Sequence, residues 1–155
     1  MRLFAWIAVA ICALLAAMPS ARAQSEPAWR VEPVTVVTTK GRYTFSAEIA
    51  DAPELRARGL MYRTHLDDDR AMLFDFKTVG PITMWMKNTF IPLDMLFVDA
   101  DGRIINIARW TTPQSLDVVA SGGNALAVLE VNGGTADRIR ARPGDRVIHR
   151  IFGNE

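Results

Sequence analysis

From residue 34 to its end this chain is a series of short runs rich in β-branched and aromatic residues, each closed by Gly, Pro, Asn or Asp. Such punctuation restricts it to folds made of many short strands. The clearest run sets Tyr43, Phe45, Ala47 and Ile49 against Arg42, Thr44, Ser46 and Glu48, a period of two with one apolar and one wet face. A β-branched run over 34–39 precedes it across Lys40-Gly41, read as a two-residue hairpin loop. Further strands are predicted at 72–76, 82–87, 93–98, 104–110, 125–131 and 147–152. Asp99-Ala100-Asp101-Gly102 has hairpin-turn residues, and Arg142-Pro143-Gly144-Asp145 has the Pro-Gly order of a type II turn.

Only two segments read as helices. One follows Asp51 as N-cap, with Pro53 in its first turn and Gly59 as its stop. The other is short, with Gly133-Gly134-Thr135 supplying its loop and N-cap. Residues 111–124, with Pro113, Gly122 and Gly123, read as a long connection. The fold expected is mainly β, a single-domain β-sandwich or barrel with two short helices.

The N-terminus carries a different signal. Met1-Arg2, an apolar run over 3–18 and Ala21-Arg22-Ala23 are the parts of a secretory signal peptide, with cleavage expected after Ala23. The run is shorter than the roughly 20 residues of a membrane span. The competing reading is a retained N-terminal anchor, against which the Ala-x-Ala ending argues. Residues 24–33 contain two prolines and no apolar period, so they read as a flexible lead-in to a single β domain over 34–155. The one cysteine, Cys12, lies inside the leader, which excludes disulfides and thiolate chemistry from the exported chain. Of 18 Lys and Arg, Arg2 and Arg22 belong to the leader, leaving 16 against 17 acids, without the basic surplus of a nucleic-acid binder.

Polar residues among apolar ones mark the candidate site. Lys87-Asn88-Thr89 stands between apolar runs, and Asp94 interrupts the second. In 93–98, Asp94 shares a face with Leu96 and Val98 while Leu93, Met95 and Phe97 line the other. In 125–131, Glu130 shares a face with Leu126 and Val128, and the opposite face is apolar as well. Both acids therefore sit in strands that read as buried on both sides, where a carboxyl must find donors, pair with a cation or stay protonated. Lys87, Arg58 and Arg63 are the natural partners. For either acid alone a fold-holding bond is the favoured reading, Asp94 accepting from Lys87 or the Lys87–Thr89 turn and Glu130 pairing with an arginine. Convergence of both with Lys87 and Asn88 in one cavity would make a site.

Trp85 and Lys87 project opposite to Met84 and Met86; an exposed Trp there would suit stacking on a flat ligand, although packing is the commoner use. Met61, Met72, Met84, Met86 and His65 raise a copper(I) reading, outweighed by methionine's role as core filler. His65 and His149 lack a third ligand in any metal-binding spacing, and 66–69 lacks the later Gly and Glu of a calcium loop. No metal site and no cofactor is expected.

The chain resembles domain-of-unknown-function family 192, also known as uncharacterised protein family 0127, through motifs that recur in order. They are Arg58-Gly59-Leu60-Met61-x-Arg63, Met72-Leu73-Phe74, Trp85-Met86-Lys87-Asn88-Thr89, Ile91-Pro92-Leu93-Asp94, Val128-Leu129-Glu130 and Pro143-Gly144-Asp145-Arg146-Val147. It departs from the family at Ala71, usually Gly, and at Met84, often aromatic. The resemblance covers about 34–154. It implies a mainly-β, jelly-roll-like domain, often secreted, and no established catalytic residues to carry over.

The functional expectation is an exported, periplasmic or secreted, monomeric module binding a small molecule or an envelope protein. Its polar pocket would be built around Lys87, Asn88 and Asp94, with Arg58, Trp85 and Glu130 as further binding residues. Two alternatives stand beside it. One is a hydrolase-type enzyme using Asp94 and Glu130 as an acid/base pair. The other is a structural subunit of an envelope assembly, which would show a broad apolar patch instead of a pocket.

Overall fold

The computed structural model describes residues 29–155; the expected leader and the start of the expected lead-in lie outside the described residues. The elements run β1 (Val31–Thr38), β2 (Gly41–Ala50), α1 (Pro53–Arg58), β3 (Arg70–Met84), β4 (Leu93–Val98), β5 (Ile104–Thr111), β6 (Val119–Asn132), α2 (Thr135–Arg138) and β7 (Arg146–Ile148). A single 3-10 turn, Arg150–Phe152, follows. The strands form one seven-stranded sheet in the order β5-β4-β6-β3-β2-β1-β7. Only β2 and β3 pair in parallel, and α1 belongs to the connection that crosses between them.

The sheet curls until its two edge strands approach each other. Arg103, just before β5, bridges to Arg146 of β7, and Ile104 N–H donates to the Asp145 carbonyl at 2.8 Å. One apolar cluster draws residues from all seven strands, among them Val36, Phe45, Leu73, Leu96, Ile104, Leu129 and Val147, closed over by Ala136 and Ile139. Both edges of an open sheet can share one cluster only on the inside of a curl, so this is the interior of a half-barrel. A second cluster lies outside the central strands: Met72, Phe74, Leu93, Met95, Phe97 and Val128, roofed by Leu60, Leu66 and Met86. The expected mainly-β, barrel-type single domain with two short helices is thus present, built as one curled sheet instead of a two-sheet sandwich.

Several boundaries differ from expectation, each for a local reason. The lead-in does not run to Pro33, because Val31, Glu32 and Pro33 already pair with Glu48, Ala47 and Ser46. Proline is tolerated there since β7 pairs only with Thr35, Val36 and Val37, leaving β1 an edge beside Pro33. The hairpin loop is Thr39-Lys40, with Gly41 already paired to Thr38. The separate strands at 72–76 and 82–87 are one long strand, β3, bent where its register with β6 shifts between Asp75 and Gly80; it stops at Met84, so Lys87 lies in a turn. The expected connection over 111–124 shrinks to 112–118, because β6 extends back to Val119 to follow β3. The last predicted strand ends at Ile148 and passes into the 3-10 turn.

Asp51 is not the cap of α1. Ala52 occupies that position with no side-chain bond, while Asp51 accepts from Arg30 at 2.9 Å. Nor does Thr135 cap α2; its N-cap is Gly134 in the left-handed conformation. Among the described residues no helix is long and apolar enough to cross a membrane.

Candidate functional site

Asp94 and Glu130 occupy neighbouring strands and face opposite ways. Asp94 stands across from Val131 and Glu130 across from Met95, and directly opposed residues share a face. Asp94 therefore points into the half-barrel and Glu130 toward the outer cluster, so the two cannot act as an acid/base pair on one substrate.

Asp94 is wholly buried, and its two oxygens accept backbone N–H bonds from Trp110 at 2.8 Å and Ala136 at 2.7 Å. Ala136 stands in the first turn of α2, whose own N-cap is a glycine, so Asp94 supplies the acceptor that this turn lacks. The Trp110 ring lies against Gly133 and Gly134: a Cβ on Gly134 would come within 2.6 Å of it. Asp94 thus ties the end of β5 to the start of α2. The expectation that Lys87 or its turn would hold Asp94 is overturned, since Lys87 lies 5.1 Å above the Trp85 ring instead.

Asn88 serves the outer loops. It has a left-handed backbone (φ 56°), its carbonyl accepts from Tyr62 N–H, and its amide donates to the Tyr62 hydroxyl at 2.9 Å. Of the six residues expected at the site, Arg58, Trp85 and Glu130 line one cavity, whereas Lys87, Asn88 and Asp94 are absent from its lining.

That cavity, about 220 Å³, lies on the outer face. Gly59 places the chain close over β3; a Cβ there would meet the Phe74 ring at 3.1 Å, and φ is +49°. The segment from Arg56 to Met61 forms one side, Thr83, Met84, Trp85 and Thr89 another, and Phe74, Phe76 and Glu130 come from the sheet. Trp85 is 51% exposed and Glu130 only 4%.

The chemistry of the cavity turns on how two acids in one row are treated. Glu48 on β2 pairs with Met72 on β3, and Met72 with Glu130 on β6, so the acids are two strands apart, roughly 10 Å, on one face. Glu48, expected on a wet face, is buried under the loop after α1 and takes a bidentate bond from Arg63 at 2.7 and 2.5 Å. Arg70 adds its charge at 3.6 Å. Glu130, for which an arginine partner was expected, receives no hydrogen bond or ion pair among the described residues. Every fully sealed side-chain oxygen or nitrogen among those residues has a partner, so the Glu130 carboxyl opens to the cavity. Burial alone pushes its pKa up to about 8, so it is largely protonated at neutral pH.

Reading by residue type alone missed the apolar side of this site: Phe74, Phe76, Leu60 and Met61. Arg58-Gly59-Leu60-Met61 and Met72-Leu73-Phe74 were legible as motifs, but their meeting over Glu130 depends on the parallel crossover.

A curled mainly-β domain with an outer-face cavity over a lone buried acid is the class that fold and site define. The chain belongs to domain-of-unknown-function family 192, described as an uncharacterised ACR, which it matches over residues 35–149. It is similar to a structure from Sinorhizobium meliloti 1021 whose description proposes a transcription regulator: TM-score 0.78, 40% identity, covering 81% of this chain and 98% of that one. It is similar as well to a protein of unknown function from Novosphingobium aromaticivorans DSM 12444: TM-score 0.77, 42% identity, covering 86% and 94% respectively. No curated protein matches the sequence closely enough to count as a relative.

Proposed function

We propose that this protein is an exported small-ligand-binding module whose ligand enters the outer-face cavity and meets Glu130. The observation that carries the reading is a carboxyl at 4% exposure, without a partner among the described residues, opening into a cavity of about 220 Å³. An unpaired buried acid opposes folding at neutral pH, and a Leu there would pack at no such cost. Glu48, in the same row, demonstrates that this face can neutralise an acid when the fold needs it. Export rests on the basic start, apolar core and Ala21-Arg22-Ala23 of the leader. The regulator description belongs to the Sinorhizobium protein; the near-neutral charge of this chain gives it no counterpart here.

The test is a thermal-shift screen of sugars, peptides, amines and metal ions on the purified protein. Hits should disappear in Ala57→Trp, which fills the cavity mouth from an exposed position, and weaken in Glu130→Gln. Hits that survive both variants would place binding elsewhere.

One observation favours a second reading, docking of an envelope protein. Tyr62, Trp85, Phe90, Leu116 and Val118 are exposed on three loops joined by Tyr62 N–H to Asn88 O, Met86 N–H to Ser115 O and Gln114 N–H to Thr89 O. Leu116→Lys with Val118→Lys would abolish such docking and leave small-ligand binding intact.

A further inference from the structure

We infer that the ligand of the Glu130 cavity is a small organic monocation, an ammonium or guanidinium group on a compact apolar body, held by Glu130 and the surrounding aromatic rings. The inference rests on the cavity reading above and gives it a chemical class.

Three observations lead to it. Glu48 and Glu130 stand in one row of one sheet face; Arg63 supplies a guanidinium to the first, and among the described residues none pairs with the second. Glu130 is thus the equivalent of the Glu48–Arg63 pair with its cation left to come from outside. The aromatic residues around this layer already accept cations: Arg56 lies 5.5 Å from the centre of the Phe76 ring, Arg63 5.9 Å from Trp29 and Lys87 5.1 Å from Trp85. Phe76 and Trp85 also line the cavity, beside Phe74. Finally, 220 Å³ matches roughly seven waters at about 30 Å³ each, room for a ligand of roughly seven to ten non-hydrogen atoms.

Arg56, which lines the same cavity, limits the charge the ligand carries. Arg56 is committed to the Asp75 carbonyl at 2.9 Å and to Phe76, but its field repels a second positive group. A single cation with an apolar remainder is therefore favoured over a polycation. Proton balance follows directly. The ligand arrives as the cation, Glu130 loses its proton to solvent, and the ion pair forms in a water-poor site where the charge-assisted bond is strong.

Benzylamine, benzyl alcohol and benzoate share one shape and differ in charge, so they separate the possibilities by calorimetry on the purified protein. At pH 7, in two buffers of different ionisation enthalpy, benzylamine should bind with release of close to one proton, because Glu130 titrates near 8. Glu130→Gln should weaken the amine roughly 10- to 100-fold, the range of a charge-assisted bond, remove the proton release and leave benzyl alcohol unaffected or improved. Benzyl alcohol or benzoate binding as well as benzylamine in the wild type would overturn the cationic class while leaving the cavity reading intact. Amine binding unchanged in Glu130→Gln would overturn it as well. If none of the three binds wild type, and Ala57→Trp changes none of the hits of the wider screen, the cavity reading fails along with the inference.

Discussion

Two acids one position apart in register illustrate how little a residue's type says about its task. Asp94 is bonded twice to backbone N–H groups, so its replacement leaves sealed donors. Asp94→Asn keeps one acceptor and turns an NH2 toward the other donor, which should cost about 1–3 kcal/mol in a urea melt; Asp94→Leu strands both donors and should cost roughly 3–5 kcal/mol. Lys87→Met should stay within about 0.5 kcal/mol, since Lys87 only covers an exposed Trp85. Glu130 behaves in the opposite sense. Its folded-state pKa of about 8 lies above the ordinary 4.5, so between those values the folded chain holds a proton that the unfolded chain has lost. Stability must therefore fall as pH rises through that window, with no contribution below about 4.5 and the full cost, on the order of 3–5 kcal/mol, above 8. Glu130→Gln removes the titrating group. Its stability advantage over wild type should be small at pH 5 and grow steadily to pH 9; a constant difference would mean the acid is paired. That both acids lie in strands buried on two faces was legible from the apolar residues flanking them. Their opposite directions were not, because facing depends on how β4 registers against β6, and local pattern carries no information about that pairing.

At the scale of elements, β2, β4, the 99–102 turn and the start of α1 were legible because each is decided locally, by alternation, by turn residues or by Pro53. The largest misplacements belong to β3 and β6, whose length comes from following each other around a bend: Gly80, Pro81, Gly122 and Gly123 look like loop residues and are carried inside long strands. The α1 cap failed for a different reason. Asp51 is a good cap by type, but Arg30 and Lys77 claim its carboxylate, and Ala52 takes the extended N-cap backbone (φ −113°, ψ 152°) with no acceptor to offer. Ala52→Ser adds one in the geometry that capping needs. It should stabilise the protein by about 0.5–1 kcal/mol, seen as an upward shift of the urea midpoint, and hold α1 more firmly beside the cavity.

Over the whole molecule, the half-barrel depends on bringing β5 and β7 together after every other strand has been placed, and the 99–102 turn does much of that. Its residues read as an ordinary hairpin turn; that it also closes the sheet could not be seen, since its partners lie some 45 residues onward. Asp99 Oδ1 accepts from the backbone of Asp101 and Arg103, which fixes the turn, and the Gly102 carbonyl then accepts from Val147 N–H at 2.7 Å. Gly102 is required twice over. Its φ of +78° is strained for any other residue, and a Cβ would come within 2.6 Å of the Val147 carbonyl, backbone that cannot give way without moving β7. Gly102→Ala should therefore open the β5–β7 approach and cost roughly 2–4 kcal/mol, well above the cost of removing glycine's freedom alone. Hydrogen exchange distinguishes closure from general weakening. Protection should fall first at Ile104, Val147 and the residues that follow β7, while β3, β4 and β6 keep theirs. Uniform loss of protection across the sheet would show instead that closure and the central strands unfold as one unit.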